Sequence, residues 1–428
     1  MNICVAGLWH LGSVTAACLA AADHHVVGYD PNQATTTDLN KGKTPVFEQG
    51  LSELVSAGMQ QGRLRFTSDR ADALRDADIV WITYDTPVDD DDNADSEFVL
   101  HEAESLFPYI GDDCLVLISS QLPVGSTRRM EQRAGARKFS FAYSPENLRL
   151  GKAIETFIKP ERLVVGVRRT EDRPRIAELL TPFTPHIEWM SVESAEMTKH
   201  ALNSFLATSV AFINEIAGLC ERVGADAKEV ERGLKSEKRI GPHAYLGPGA
   251  AFSGGTLARD LVFLSGLGRE HDVSTTLISS VKSSNDVHRE WPLRRLRELL
   301  GDLHDQRIAI LGLTYKPGTD TLRRSSAIEL CRSLVEQGAK VTAHDPAVSS
   351  LPENLTGRMR LAESALGAAE GAAAVVIMTE WPEYKLMSGD ALAEALDGRR
   401  LVLDANRFLA GPLADHPRIL YAAVGKAI

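Results

Sequence analysis

The chain has 428 residues and a net charge of −11, with 44% hydrophobic and 25% charged residues. That length suggests two or three domains of ordinary soluble composition. The acidic balance argues against nonspecific binding to nucleic acid or anionic membrane, although a locally basic pocket could still take an anionic substrate. The cysteines, Cys4, Cys18, Cys114, Cys220 and Cys331, lie in apolar runs without CxxC spacing. They read as small core residues, so neither a disulfide framework nor a zinc site is expected and no metal is assigned. The run Asp89–Asp92 reads as a solvated loop. The N-terminus enters a strand without a basic leader, and no apolar run reaches membrane-spanning length, so the expected location is cytoplasmic.

Asn2–Ala6 is a short apolar strand that runs into Gly7-Leu8-Trp9-His10-Leu11-Gly12 and an Ala-rich helix. A second strand, His25–Tyr29, ends at Asp30. Strand, glycine turn, helix, strand and acid form a dinucleotide-binding unit, with an acid suited to a ribose 2′-OH and hostile to a 2′-phosphate. NAD is therefore favoured over NADP. The middle glycine of G-x-G-x-x-G is Trp9 here. Its ring either pushes the dinucleotide outward, folds over it, or packs on the sheet with no ligand role. Apolar strands at Ala77–Thr83, Cys114–Ser119 and Leu163–Val167 extend a doubly wound parallel sheet. From about Glu193 to Leu300 helical periodicity dominates. Ala195–Val223 is apolar on both faces, which suits a helix buried between domains or in a dimer interface. The strand-turn-helix-strand layout recurs at Arg307–Gly312, Ser326–Gln337 and Ala339–Asp345, with further strands at Ala373–Met378 and Leu401–Leu403. The expected fold is α/β, with two Rossmann-like domains joined by a helical dimerisation region. The expected boundaries are 1–192, 193–300 and 301–428.

Six segments in register carry a resemblance that spans essentially the whole chain. They are Tyr143–Arg149; Glu196–Lys199 with Asn203 and Phe212–Glu215; Arg239–Gly241 with Leu246–Gly249; Phe252–Asp260; Gly312–Pro317 with Thr319, Asp320 and Arg323; and Thr379–Pro382. Together they resemble the UDP-glucose/GDP-mannose dehydrogenases, which oxidise the C6 hydroxyl of a nucleotide sugar to a carboxylate with two NAD. The resemblance implies NAD on the first domain, through Gly7, Trp9, Leu11, Gly12, Asp30, Thr86 and Gln121, with Arg323 reaching the pyrophosphate. It implies substrate contacts from Asn147, Leu148, Arg149, Lys199, Asn203, Tyr245, Leu246, Gly247 and Lys316. Arg239 would serve a neighbouring subunit, so a homodimer is expected. A solvated surface charge is the plainer reading of Lys316, Arg323 or Arg239. A turn carboxylate is the plainer reading of Glu146, and a helix cap that of Asp260.

Removing a proton from the hydroxyl while hydride leaves needs a base or ordered water, plus a cation for the developing alkoxide. Lys199, Asn203 and Asp260 match the residues for that step. Lys199 and Asn203 are four apart and share a helix face. Glu146 belongs to the same candidate catalytic set. The second oxidation in the family runs through a cysteine thioester, and here that position is Thr256, a far weaker acid than a thiol. Two further departures are Leu150, where the family has a second glutamate, and Gln121, where it has a threonine. Arg259 replaces a lysine and keeps the charge. Four readings follow. They are a dehydrogenase in which water hydrates the aldehyde; a single hydride transfer giving an aldehyde, a keto sugar or an epimer; an inactive sugar-nucleotide-binding protein; and a distant β-hydroxyacid dehydrogenase.

Overall fold

Short runs of branched and aromatic residues, each closed by a glycine or polar turn, become the strands of two separate sheets. They are seen in a computed structural model that describes residues 1–89, 94–146, 148–149, 151–253 and 255–427. The chain groups into two units, residues 1–201 and 202–428.

The first unit holds β1 (Asn2–Ala6), β2 (His25–Tyr29), β3 (Leu64–Thr67), β4 (Ile79–Ile82), β5 (Leu115–Ile118), β6 (Ser140–Tyr143), β7 (Leu163–Val167) and β8 (Ile187–Met190). Their order in the sheet is β3-β2-β1-β4-β5-β6-β7-β8. Alternation along β1 explains why both faces are apolar: Ile3 and Val5 join one core cluster, Cys4 and Ala6 the other. The expected parallel sheet needs one correction, because β6 and β7 pair antiparallel. β1 pairs with β2 on one side and β4 on the other, so the order reverses at its C-terminal end. That reversal is where open α/β sheets leave a crevice for ligands.

The second unit repeats the plan with β9 (Arg307–Leu311), β10 (Lys340–His344), β11 (Arg360–Leu361), β12 (Ala374–Ile377), β13 (Leu401–Asp404) and β14 (Leu420–Ala422). The order is β11-β10-β9-β12-β13-β14, parallel throughout, and it reverses between β9 and β12. Between Val192 and Leu300 the described residues form five helices. The first, Val192–Val223, starts in one unit and ends in the other. By length and composition alone it is apolar enough to cross a membrane, unlike the expectation for this chain. Its Ala195, Ala207, Ala211, Ile213 and Ala217 are nevertheless buried against protein, as in a core helix.

Candidate functional site

The glycine turn after β1 is built for close approach. Gly7 has φ +96°, and a Cβ on Gly12 would stand 1.8 Å from the Gly7 carbonyl oxygen. The turn is locked from three sides. Thr83 Oγ1 donates to the Gly7 carbonyl at 2.9 Å, Ser13 Oγ to the Leu8 carbonyl at 2.8 Å, and the Leu8 N–H to Asp30 Oδ2 at 2.9 Å. Asp30 therefore holds the turn as well as offering an acid to a ribose. Leu11 is half-buried, whereas Trp9 is 52% exposed, so its ring is not packed into the sheet. The cradle that a Cβ would fill, the open N-terminus of helix His10–Ala21 and the acid at the end of β2 fit a dinucleotide. Thr86 and Gln121 are brought together, Thr86 Oγ1 donating to the Gln121 carbonyl at 2.7 Å.

Helix Val192–Val223 braces the loops beside this turn. Glu196 is fully buried and accepts from the N–H groups of Gly125 (2.6 Å) and Thr127 (3.0 Å) and from Thr127 Oγ1 (2.7 Å). It thereby caps helix Ser126–Ala134, whose own cap, Gly125, has no side chain. Burial pushes the Glu196 carboxyl up from its ordinary value, against the pull of these donors. His200, one turn on, has Nε2 2.9 Å from the Leu122 carbonyl. Lys199 Nζ donates to the Glu146 carbonyl at 2.5 Å and lies 3.8 Å from Glu146 Oε1. Glu146 Oε2 accepts from the Leu148 N–H at 2.7 Å, so Glu146, Leu148 and Lys199 form one group. Arg149 is exposed. Asn147, Leu150, Gly254 and Asp90–Asp92 lie outside the described residues.

Sequence reasoning did not assign Glu48. Its carboxylate is buried, accepts from the N–H groups of Gly151 and Ala153 at 2.8 Å each, and sits 3.1 Å from His10 Nε2. The available signal for Glu196 and His200 was polar residues on an otherwise apolar helix face. Glu48 sits in a loop and gave none.

In the second unit Asn203 Nδ2 donates to Asp260 Oδ2, and both residues are buried. Asp260 lies one turn into helix Thr256–Glu270, so it is no N-cap. Thr256 opens that helix and is exposed. A cleft of about 910 Å³, open solvent at its mouth included, lies at the C-terminal ends of β9 and β12. Thr314, Lys316, Ser325, Ser326, Met378, Thr379 and Asn406 are among its lining residues. Ser325 caps helix Ser326–Glu336, whose N-terminus lines the same cleft as Lys316, a combination suited to phosphate. The glycine turn after β9 is filled by protein instead. Asp345 Oδ2 accepts from the Leu313 and Thr314 N–H groups at 2.7 and 3.0 Å and from Trp381 Nε1 at 3.0 Å. Arg323 and Tyr245 are exposed and Leu246 is buried. Gly247 is exposed, and Arg239 is exposed with Nε 3.0 Å from Glu237 Oε1.

Every cysteine is buried and free, as the sequence led us to expect. Burial pushes the thiols of Cys18, Cys114 and Cys331 up to about 12, and those of Cys4 and Cys220 upward as well.

Profiles of the UDP-glucose/GDP-mannose dehydrogenase family match three segments. Its NAD binding domain matches residues 1–184, its central domain 193–287 and its UDP binding domain 309–411. A UDP-glucose 6-dehydrogenase of Rickettsia typhi is 34% identical over the full length of both chains. One from Pseudomonas aeruginosa is 33% identical over 95% of this chain and 94% of its own. The structure of a UDP-glucose dehydrogenase from Pyrobaculum islandicum superposes with a TM-score of 0.87 at 30% identity, covering 100% of this chain and 98% of that one.

Proposed function

The chain belongs to the UDP-glucose/GDP-mannose dehydrogenase family, and we propose that it oxidises the C6 hydroxyl of a UDP-hexose, with UDP-glucose as the leading substrate. The observation that carries the substrate class is the cleft at the β9/β12 reversal, which Lys316 and a helix N-terminus both line. That end takes the diphosphate. The glycine turn after β1 and Asp30 would hold NAD, which would supply the hydride acceptor. Lys199 supplies positive charge to the developing alkoxide. Asp260, oriented by Asn203, takes the proton directly or through water. Glu146 holds Lys199 in place through its carbonyl. The three-domain division 1–192, 193–300 and 301–428 remains our reading of the organisation.

The second oxidation proceeds without a thioester. Water adds to the aldehyde to give the gem-diol, which gives up a hydride to a second NAD and two protons to water to become the carboxylate. A single oxidation that releases the aldehyde is the second reading. It is favoured by the exposed Thr256, whose hydroxyl hydrogen-bonds no base among the described residues. The test is incubation with a panel of nucleotide sugars and NAD, with NADH counted per sugar and products weighed by mass spectrometry. Two NADH and an acid support the first reading; one NADH and an aldehyde support the second. No NADH from any sugar would remove both.

The same family reading includes a homodimer. It is supported by exposed Phe205, Phe212 and Leu219, which recur every seven residues on one face of helix Val192–Val223 and continue to Val223. A cytoplasmic enzyme that binds neither nucleic acid nor membrane remains part of the reading. Light scattering of wild type against Phe212→Asp tests the dimer; a wild-type monomer with full activity would overturn it.

A further inference from the structure

Among the described residues, Gly249 to Phe252 make no backbone–backbone hydrogen bonds. Their polar backbone groups are taken by side chains from three other places in the second unit. Asn214 Oδ1 accepts from the Gly249 N–H at 3.0 Å, and Asn214 Nδ2 lies 3.5 Å from the Ala250 carbonyl. Asn406 Oδ1 accepts from the Ala250 N–H at 2.7 Å. His288 Nε2 stands 2.8 Å from the Gly249 carbonyl, which makes Nε2 the protonated nitrogen, and burial lowers the pKa of the ring. Asn285 closes a two-way ring with Phe252: its Oδ1 accepts from the Phe252 N–H at 2.9 Å, and its Nδ2 donates to the Phe252 carbonyl at 2.8 Å.

These groups act as a substitute for a neighbouring strand. An isolated loop with buried backbone polar groups must satisfy them or lose stability. Asn285 and Asn214 are 1% and 2% exposed, so neither serves solvent. The approach is close enough to require glycine at one position: a Cβ on Gly249 would lie 2.2 Å from Asn406 Oδ1. The braced stretch has two neighbours of consequence. Ala250, Ala251 and Ser253 line the cleft assigned to the diphosphate. Four residues beyond Phe252, helix Thr256–Glu270 begins, and it carries Asp260.

We propose that Asn285 is a positioning residue for the oxidation. Through Phe252 it sets where helix Thr256–Glu270 starts, and thereby where Asp260 stands. Asn214, Asn406 and His288 set the preceding residues against the cleft. The proposal rests on the function assigned above. It requires an amide at 285, because Phe252 offers one donor and one acceptor. A carboxylate could serve the N–H but would face the Phe252 carbonyl oxygen with a second oxygen.

The test compares wild type with Asn285→Ala and Asn285→Asp. For both variants kcat should fall about tenfold or more, while the dissociation constant for UDP stays within about threefold. Amide exchange of a peptide covering Phe252 should quicken about tenfold, with peptides from β9 and β12 unchanged. Where Asn285→Ala does not fold, Asn406→Ala provides the second variant. Asn406 is exposed, and its loss frees the Ala250 N–H, so local exchange should rise without global unfolding. Unchanged exchange at Phe252, or quicker exchange with kcat within twofold of wild type, overturns the proposal. Parallel loss of UDP binding and turnover also overturns it, since that marks a general collapse of the unit. If wild type makes no NADH from any nucleotide sugar, the functional reading fails separately, and the exchange comparison still decides whether Asn285 orders the segment.

Discussion

Thiol alkylation tests the chemistry at its most distinctive point. In the mechanism proposed here no sulfur takes part, so blocking thiols should leave turnover intact. The structure sets the size of the protection. With pKa values near 12 for Cys18, Cys114 and Cys331, roughly one thiol in ten thousand is ionised at about pH 8, against about one in four for a free cysteine. The reactive fraction is thus lower by roughly three orders of magnitude before access is counted. Access lowers it further, because all five side chains are buried. The assay is incubation of the native protein with iodoacetamide, sampled for NADH formation and for mass gain by peptide mapping. Activity should persist while a small unstructured thiol peptide in the same tube is fully alkylated. Rapid inactivation, slowed by UDP-sugar and mapped to one of the five cysteines, would refute the reasoning and identify a nucleophile that the structure hides.

Lys316→Ala should weaken UDP binding by about 1.5–3 kcal/mol, one charged hydrogen bond, as read by calorimetry; an unchanged dissociation constant would move the diphosphate elsewhere. Gly12→Ala should cost about 1–3 kcal/mol of stability in urea unfolding, since the added methyl meets a backbone oxygen that Thr83 holds in place, and NAD affinity should fall with it. Asn203→Ala removes a donor from the buried Asp260 carboxylate and should lower kcat by about 1–3 kcal/mol in barrier terms, with little effect on UDP affinity. The last prediction concerns pH. Arg168, and then Arg128, hold the Glu193 carboxyl at about 2, below its ordinary 4.5. Its folded-state pKa is depressed, so its contribution is full above pH 4.5 and is lost as pH falls toward 2. The stability difference between wild type and Glu193→Gln should be about 1 kcal/mol near neutrality, given the partial exposure, and should vanish near pH 2. A difference that persists at low pH would show that the pair is not its source.

Much of the fold was legible because its signals are local. A run such as Leu401–Leu403 is apolar whatever surrounds it, and a glycine turn between a strand and a helix needs no distant partner to be recognised. The boundaries of β1, β2 and β7 follow directly from such runs. The same holds for the acid at Asp30, which lies one residue past a predicted strand. Strands like Leu64–Thr67 alternate with charge and are short, so their pairing energy comes from neighbours remote in sequence. The antiparallel pairing of β6 with β7 was invisible for the same reason. At the candidate site, the chain order named Lys199, Asn203 and Asp260, because helix spacing and motif register are sequence properties. It assigned no role to Glu48, Glu196 or Asn285. Each acts by offering a side chain to backbone groups 33 or more residues away, at Gly151 and Ala153, at Gly125 and Thr127, and at Phe252. A buried amide or carboxylate has no pattern until folding brings a donor to it. The residue types available to the chemistry are therefore a matter of sequence. Which backbone segments are held still enough for those residues to act is decided by tertiary hydrogen bonds, since only burial makes an unmet polar group costly enough to fix a loop.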